Sequence, residues 1–195
     1  MPGTGGELAE HLIERFELGD VKVEEGGPKD NYYSPAERKI ALSPKNFNGK
    51  SLTAVAVAAH EVGHAIQFSR EEPLSKLRDK YIPIAATLGR AGVSMLIVLP
   101  VVTFIFKTPA VIVAFIVLSL IFQLAGAAMY LIVLPEELDA SFNKALPILE
   151  EGEYLPAHML PSARKVLRAA ALTYFAGALA NVMNIGRWLV VLLRR

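Results

Sequence analysis

The sequence predicts a mainly α-helical protein with a small β-sheet, in which a polar N-terminal region is fused to a transmembrane helical hairpin. Hydrophobic residues make up 53% of the 195 residues and charged residues 20%, against about 45–50% and about 25% in average soluble domains. The apolar excess lies after residue 80, in two long uncharged stretches. Before residue 80, apolar residues recur at helical spacing in two segments, with short strand-like segments between them.

Composition also excludes several kinds of site. The chain has no Cys, which rules out disulfides, thiolate metal ligands and a Cys nucleophile. Its 20 Lys and Arg nearly balance its 19 Asp and Glu, for a net charge of +1. This charge does not favour nucleic acid as a partner.

The first element is a helix from Gly6 to Glu17, whose apolar residues recur at helical spacing. Thr4 is its expected N-cap, with Glu7 three residues further on. Two short strands are expected next, at 21–24 and at Arg38–Ser43, the second after a turn at Ser34-Pro35.

A second, longer and Ala-rich helix runs from Ser51 to about Ser69 and contains His60-Glu61-Val62-Gly63-His64, an H-E-x-x-H motif. Positions i and i+4 share one helix face, so both imidazoles can bind one metal ion. Glu61 lies beside the open coordination position, where it can act as the general base. Zinc suits these ligands, because it accepts N and O donors tetrahedrally and lowers the pKa of a bound water to about 7. Without a metal, two His and a Glu in an apolar helix would carry a large desolvation cost.

The third protein ligand distinguishes families of zinc hydrolase. A metzincin would have a third His where Arg70 stands, and Gly where Gln67 stands. An intramembrane site-2-type protease would place the motif in a spanning helix, but Lys50 and Arg70 flank it closely. A carboxylate on a later helix remains, and the candidates follow the second apolar stretch at the start of a predicted helix: Glu136, Glu137 and Asp139.

The hairpin is predicted from residues 82–134. Its first apolar stretch ends at Phe106, Lys107-Thr108-Pro109 forms the connection, and the second stretch runs without charge from Ala110 to Leu134. A spanning helix needs about 20 mostly apolar residues, which the second stretch exceeds. A third apolar segment, Ala169 to Leu193, is expected either to span or to lie in the interface.

Positive charge predicts the orientation. The hairpin connection contains one cation, Lys107, whereas basic residues cluster on both sides of the hairpin: Lys76, Arg78, Lys80, Arg90, Lys144, Arg164, Lys165 and Arg168. Loops rich in Lys and Arg stay in the cytoplasm. The polar regions are therefore expected on the cytoplasmic face of the cell membrane.

The chain resembles the membrane-bound neutral zinc metallopeptidases of the YugP type, which are distant relatives of the HtpX-like gluzincins. The resemblance depends on four segments: Thr4–Glu7, the Tyr33-Ser34-Pro35 turn with the strand to Ser43, Ser51–Gln67, and Leu134–Ser141. It implies a gluzincin-like core made of the H-E-x-x-H helix and an edge strand. It also implies three divisions: a zincin-like part at 1–80, the hairpin at 82–134, and residues 135–195 completing the catalytic domain.

By this resemblance, His60, His64 and Glu137 are zinc ligands and Glu61 is the general base. Should Glu137 not bind zinc, Glu136, Asp139 and His158 are the alternatives. An extended peptide substrate is expected to pair with the edge strand formed by Arg38, Lys39, Ile40, Ala41, Leu42 and Ser43. The implied partners are a peptide or protein substrate and the lipid bilayer, and the oligomeric state is left open.

Two departures from the family pattern stand out. HtpX-like enzymes have Asp where this chain has Ser141, and YugP-type proteins tend to have Asp-His-Tyr-Asp-Pro where this chain has Asn31-Tyr32-Tyr33-Ser34-Pro35. The resemblance also implies an N-terminal spanning helix, and residues 1–80 contain no segment of that kind.

The sequence thus predicts a membrane-associated zinc-dependent endopeptidase that cleaves peptide bonds with a metal-activated water and a Glu general base. Two alternatives stay open: a non-catalytic scaffold or adaptor stabilised by zinc, and the site-2-type protease. A structural zinc site closes all four positions with protein ligands, and no fourth ligand is evident in the sequence.

Overall fold

The computed structural model describes residues 3–180 and Met183. The described α-helices are α1 (Gly5–Arg15), α2 (Pro44–Phe47), α3 (Leu52–Ser69), α4 (Leu77–Phe106), α5 (Pro109–Leu138), α6 (Leu146–Glu151) and α7 (Leu160–Ala171). The strands are β1 (Lys22–Glu25), β2 (Asn31–Ser34) and β3 (Lys39–Leu42). Short 3-10 helices cover Pro73–Lys76 and Ala157–Met159, and a π-helix covers Asp139–Ala145. The fold is mainly helical with one small sheet.

Contacts divide the chain into two units. The first comprises Met1–Lys76 and Pro135–Leu172, and the second Leu77–Leu134 and Thr173–Arg195. The functional division at 1–80, 82–134 and 135–195 stays a prediction. The third apolar segment lies outside the described residues from position 181 onward, Met183 apart.

Helix α1 begins with the predicted cap. The Thr4 hydroxyl accepts a hydrogen bond from the Glu7 backbone N–H at 3.1 Å, and the Glu7 carboxylate accepts one from the Thr4 N–H at 2.7 Å. This reciprocal pair is a capping box. The apolar face of the helix is buried in the core of the first unit through Leu8, Ala9, Leu12 and Ile13.

The sheet has the order β1-β3-β2, with β1 parallel and β2 antiparallel to β3. Both predicted strands form, but β2 was not expected, because Ser34-Pro35 indicated only a turn. The expectation that Arg38–Ser43 forms an edge strand is wrong. Strand β3 is paired on both sides, so its backbone has no open edge for a substrate, and the free edges among the described strands belong to β1 and β2.

Helix α3 lies at the centre of the first unit, as its apolar composition predicts. Ser51 caps it by accepting a hydrogen bond from the Ala54 N–H at 3.2 Å. Thirteen of its residues are buried, and α1, α7 and the π-helix all pack against it. A helix enclosed in this way holds its side chains in fixed positions.

The expected helix start after the second apolar stretch is wrong. Helix α5 continues through Pro135 to Leu138, and the π-helix follows directly. Glu136 and Glu137 therefore lie within a continuous helical segment and not in the first turn of a helix. Stabilisation of a helix N-terminus does not explain their presence.

In the second unit, α4 and α5 are long and apolar enough to cross a membrane by length and composition. The most apolar window of each is only 17% buried, whereas a core helix of a soluble protein is mostly buried. The predicted connection at residues 107–108 separates them. Within this unit the Ser119 hydroxyl donates to the Gly92 carbonyl at 2.7 Å and accepts from the Gln123 amide at 3.1 Å.

Candidate metal centre

Three predicted ligands converge in the first unit. His60 and His64 lie one turn apart on α3, and Glu137 approaches them from the end of α5. Glu137 Oε2 is 3.4 Å from His60 Nε2 and 3.3 Å from His64 Nε2. The three donor atoms all lie within 4.8 Å of one another, the arrangement expected of residues that can bind one metal ion.

The spacing matches zinc coordination. Tetrahedral zinc with bonds of about 2.0–2.1 Å separates its ligand atoms by roughly 3.3 Å. The observed distances from Glu137 Oε2 to the two imidazole nitrogens are close to this value. Two imidazoles and one carboxylate are also the ligands of catalytic zinc sites that leave one position for water.

Burial of these polar groups supports the same conclusion. His60 and Glu61 are each 4% exposed, and His64 and Glu137 are each 2% exposed. Among the described residues, Glu61 Oε2 and Glu137 Oε1 are buried without a hydrogen-bond partner. Unpaired buried carboxylate oxygens are costly, and a cation with a bound water would satisfy both. The residues present therefore fit a divalent metal.

The electrostatics keep the Glu137 carboxylate ionised. Burial raises the pKa of Glu137, but the imidazoles of His64 and His60 beside it outweigh burial and hold the pKa well below its ordinary value. Metal binding requires the deprotonated carboxylate, so the protein presents this ligand in its binding form.

The outer nitrogen of each imidazole contacts a neutral side chain. His60 Nδ1 is 3.0 Å from the Ser141 hydroxyl, which donates to the Leu167 carbonyl at 3.1 Å. His64 Nδ1 is 3.0 Å from Gln67 Oε1. Ser141 and Gln67 are both fully buried, so these contacts are sheltered from water.

Gln67 connects the centre to a group of charged residues that is partly open to solvent. Its amide donates to Asp139 Oδ2 at 2.8 Å, and Lys144 lies 3.2 Å from the same oxygen and 3.1 Å from Glu72. Burial raises the pKa of Asp139, but hydrogen bonds from Gln67, Asn143 and Lys144 outweigh it and lower the pKa. Asp139 therefore supports the centre from outside.

The alternative ligands are not in the group. Glu136 is buried, and its Oε1 lies 3.9 Å from Nδ1 of His64, the nitrogen that faces Gln67. His158 is exposed in a 3-10 helix. His11 is exposed on α1, where its Nε2 is 2.8 Å from the Tyr154 hydroxyl. The only group of this kind among the described residues is His60, His64 and Glu137.

Sequence reasoning did not identify Gln67 and Ser141 as partners of the centre. Gln67 lies three residues after His64, on the same helix face. Ser141 lies four residues after Glu137. Spacing could therefore have indicated both residues, but only packing shows which imidazole each one contacts.

The chain is similar to known proteins that are described as peptidases. The model of the family described as "putative neutral zinc metallopeptidase" matches residues 1–193. The chain is 33% identical over 191 residues to "Putative membrane protease YugP" of Bacillus subtilis (strain 168), covering 97% of this chain and 81% of that protein. No solved structure matches significantly. Matching the family model over nearly its whole length, the chain belongs to this family of neutral zinc metallopeptidases.

Proposed function

We propose that the protein is a membrane-associated, zinc-dependent endopeptidase of the gluzincin type. One observation carries the proposal: Nε2 of both H-E-x-x-H imidazoles lies 3.3–3.4 Å from the Glu137 carboxylate. The buried Glu61 between the two His in sequence supplies the general base. The family and the relative support a zinc-dependent protease.

In this proposal, His60, His64 and Glu137 hold the zinc ion. Bound zinc supplies Lewis acidity toward the scissile carbonyl and the attacking water. Glu61 takes the proton from that water and delivers it to the leaving amine, which makes one carboxylate serve as base and then as acid. Burial of Glu61 excludes competing solvent from this proton transfer.

We assign the substrate backbone to the outer edge of β2. Strand β2 is antiparallel to β3 and has no second partner among the described strands. It packs against α3, with the Tyr33 ring 6.0 Å from that of Phe68.

Peptides that are N-methylated at alternate positions test this assignment. They should no longer be cleaved, because the methyl group replaces the N–H that would pair with the strand edge. Equal cleavage at every methylated position would refute this assignment.

For localisation, we propose that α4 and α5 form the transmembrane hairpin, with the metal centre on the cytoplasmic side. Their apolar side chains are widely exposed in the second unit, where Phe104 reaches 78%. Lipid is the partner that such surfaces fit. The relative's name, a membrane protease, points the same way.

Glu61→Gln tests the catalytic proposal directly. The substitution keeps the shape of the side chain and all three proposed ligands, but removes the base. Purified in detergent, the variant should hold about one zinc per chain and cleave casein roughly 10²- to 10⁴-fold more slowly than the parent. Glu10→Gln, on the exposed face of α1, is the matched control and should cleave like the parent.

Two outcomes would overturn this reading. Hydrolysis by Glu61→Gln at the parent rate would show that Glu61 is not the base. Tight zinc binding by a parent that cleaves no peptide would favour the zinc-stabilised scaffold instead.

A further inference from the structure

Both metal-binding imidazoles contact uncharged side chains whose own hydrogen bonds allow only one direction of donation. We infer that Ser141 and Gln67 are positioning residues that hold a proton on Nδ1 of His60 and His64 and so leave Nε2 of each ring for the metal. This inference rests on the proposed function, because it concerns the same two His.

The direction of the Gln67 bonds follows from its amide nitrogen. Nε2 lies 3.0 Å from the Glu136 carbonyl and 2.8 Å from Asp139 Oδ2, and both of these atoms are acceptors. An amide nitrogen only donates, so Oε1 must be the atom that faces His64 Nδ1. Oε1 only accepts, and His64 must therefore carry its proton on Nδ1. Nε2 is then the ring nitrogen that is left to bind a metal.

Ser141 imposes the same tautomer on His60 by different chemistry. Its hydroxyl proton is donated to the Leu167 carbonyl, which is an acceptor only. The hydroxyl oxygen is left to accept from His60 Nδ1 at 3.0 Å. His60 is then protonated on Nδ1, and its Nε2 faces the same point as Nε2 of His64.

The two positioning residues are themselves held in place. Asp139, which accepts from Gln67, also accepts from Asn143 at 2.8 Å and forms an ion pair with Lys144. Leu167 lies on the buried face of α7, so Ser141 connects α3 to that helix. Replacing Gln67 would therefore remove the contact that orients His64, and replacing Ser141 would remove the one that orients His60.

Nitrogen NMR of the unmodified protein is the first test, since it needs no variant to fold. The chain is labelled with ¹⁵N-histidine, stripped of metal and measured at increasing pH until the ring signals stop changing. The variants His11→Gln and His158→Gln identify the nitrogen signals of the two His rings that lie outside the centre. Both remaining rings should be protonated on Nδ1, and a majority of Nε2–H tautomer in either ring would overturn the inference for that residue.

Zinc affinity, measured by competition with a chelator, is the second test. Ser141→Ala and Gln67→Ala should each weaken zinc binding about 10- to 100-fold, the usual cost of losing a group that orients a ligand. In the spectra, Ser141→Ala should mix the tautomers of His60 only, and Gln67→Ala those of His64 only. Parent-like affinity and tautomers in both variants would refute the positioning role.

Ser119→Ala is a closely matched control. Ser119 is also buried, donates to a backbone carbonyl and accepts from a side-chain N–H, but it lies in the second unit. It should change neither zinc affinity nor tautomer. A parent that binds no zinc would instead refute the proposed function, and the nitrogen spectra would still decide the tautomers.

Discussion

The backbone carbonyl of Ala140 lies so close to Gly63 that a Cβ on Gly63 would be 2.6 Å from the carbonyl oxygen. Because Gly63 has no Cβ, the two backbones can lie this close together. Ala140 belongs to the π-helix, which directly follows the turn that carries Glu137. This contact therefore sets the distance between the third proposed ligand and the two His of α3.

Gly63→Ala should consequently loosen the centre. The added methyl group overlaps the Ala140 carbonyl, and overpacking of this kind costs about 1–3 kcal/mol. We expect a lower thermal unfolding midpoint in detergent and weaker zinc binding by chelator competition.

The matched control for this change is Gly177→Ala, where a Cβ would meet no atom within 4 Å. Gly177 is exposed within a helical stretch, and Ala stabilises helices by about 0.5–1 kcal/mol relative to Gly. If Gly63→Ala keeps the unfolding midpoint and the zinc affinity of the parent, the π-helix can move away from α3 without a cost in stability.

Glu137→Ala should abolish stoichiometric zinc binding. The loss should exceed the 10- to 100-fold typical of groups that only orient a ligand. Zinc that binds only the folded state raises the free energy of unfolding by about 2.7 kcal/mol at 100 times the dissociation constant, and the unfolding midpoint rises with it. The parent should show this shift and the variant should not. Glu136→Gln is the control, and a loss of zinc there alone would transfer the ligand role to Glu136.

Acid should destabilise the zinc-free protein partly through Asp139. Its pKa lies below the ordinary value of 3.8 in the folded state, so its stabilising contribution is present above that value and is lost as pH falls toward the folded pKa. Asp139→Asn keeps an acceptor for Gln67 but removes this titration. Its unfolding midpoint should fall less than that of the parent between about pH 5 and pH 3. Parallel curves would show that Asp139 contributes nothing to the acid response.

Absence of Cys makes the membrane orientation directly measurable. Thr108→Cys places a thiol in the connection between α4 and α5, and Lys45→Cys places one on α2. A membrane-impermeant maleimide should label position 108 in intact cells and position 45 only after permeabilisation. The reverse pattern would contradict the cytoplasmic placement of the metal centre.

Much of the fold could be predicted where local chemistry decides the structure. Thr4 and Glu7 predicted the first helix, and the apolar run before His60 predicted a buried α3. Strand β2 was missed because Asn31–Ser34 has no clear alternation, and pairing with β3 is what makes it a strand. Whether β3 is central or at an edge depends on long-range pairing, which no local pattern reports.

The candidate site shows the same limit. Spacing on one helix was enough to bring His60 and His64 together. A third ligand 73 positions beyond His64 in the chain depended on family resemblance, and geometry now places Glu137 beside the two imidazoles. The partners Ser141 and Gln67 depend on tertiary packing, so residue types alone did not distinguish them from ordinary buried polar residues.

Burial of the reactive group has a consequence for how such an enzyme is controlled. With Glu61 only 4% exposed, the side chain proposed as the general base is almost entirely covered by protein in the described conformation. If Glu61 is the base, a substrate can reach it only when part of this cover moves, and the frequency of that motion would then limit the rate. Such a peptidase would spare the proteins around it without an inhibitor, and a partner that favours the uncovered form would activate it.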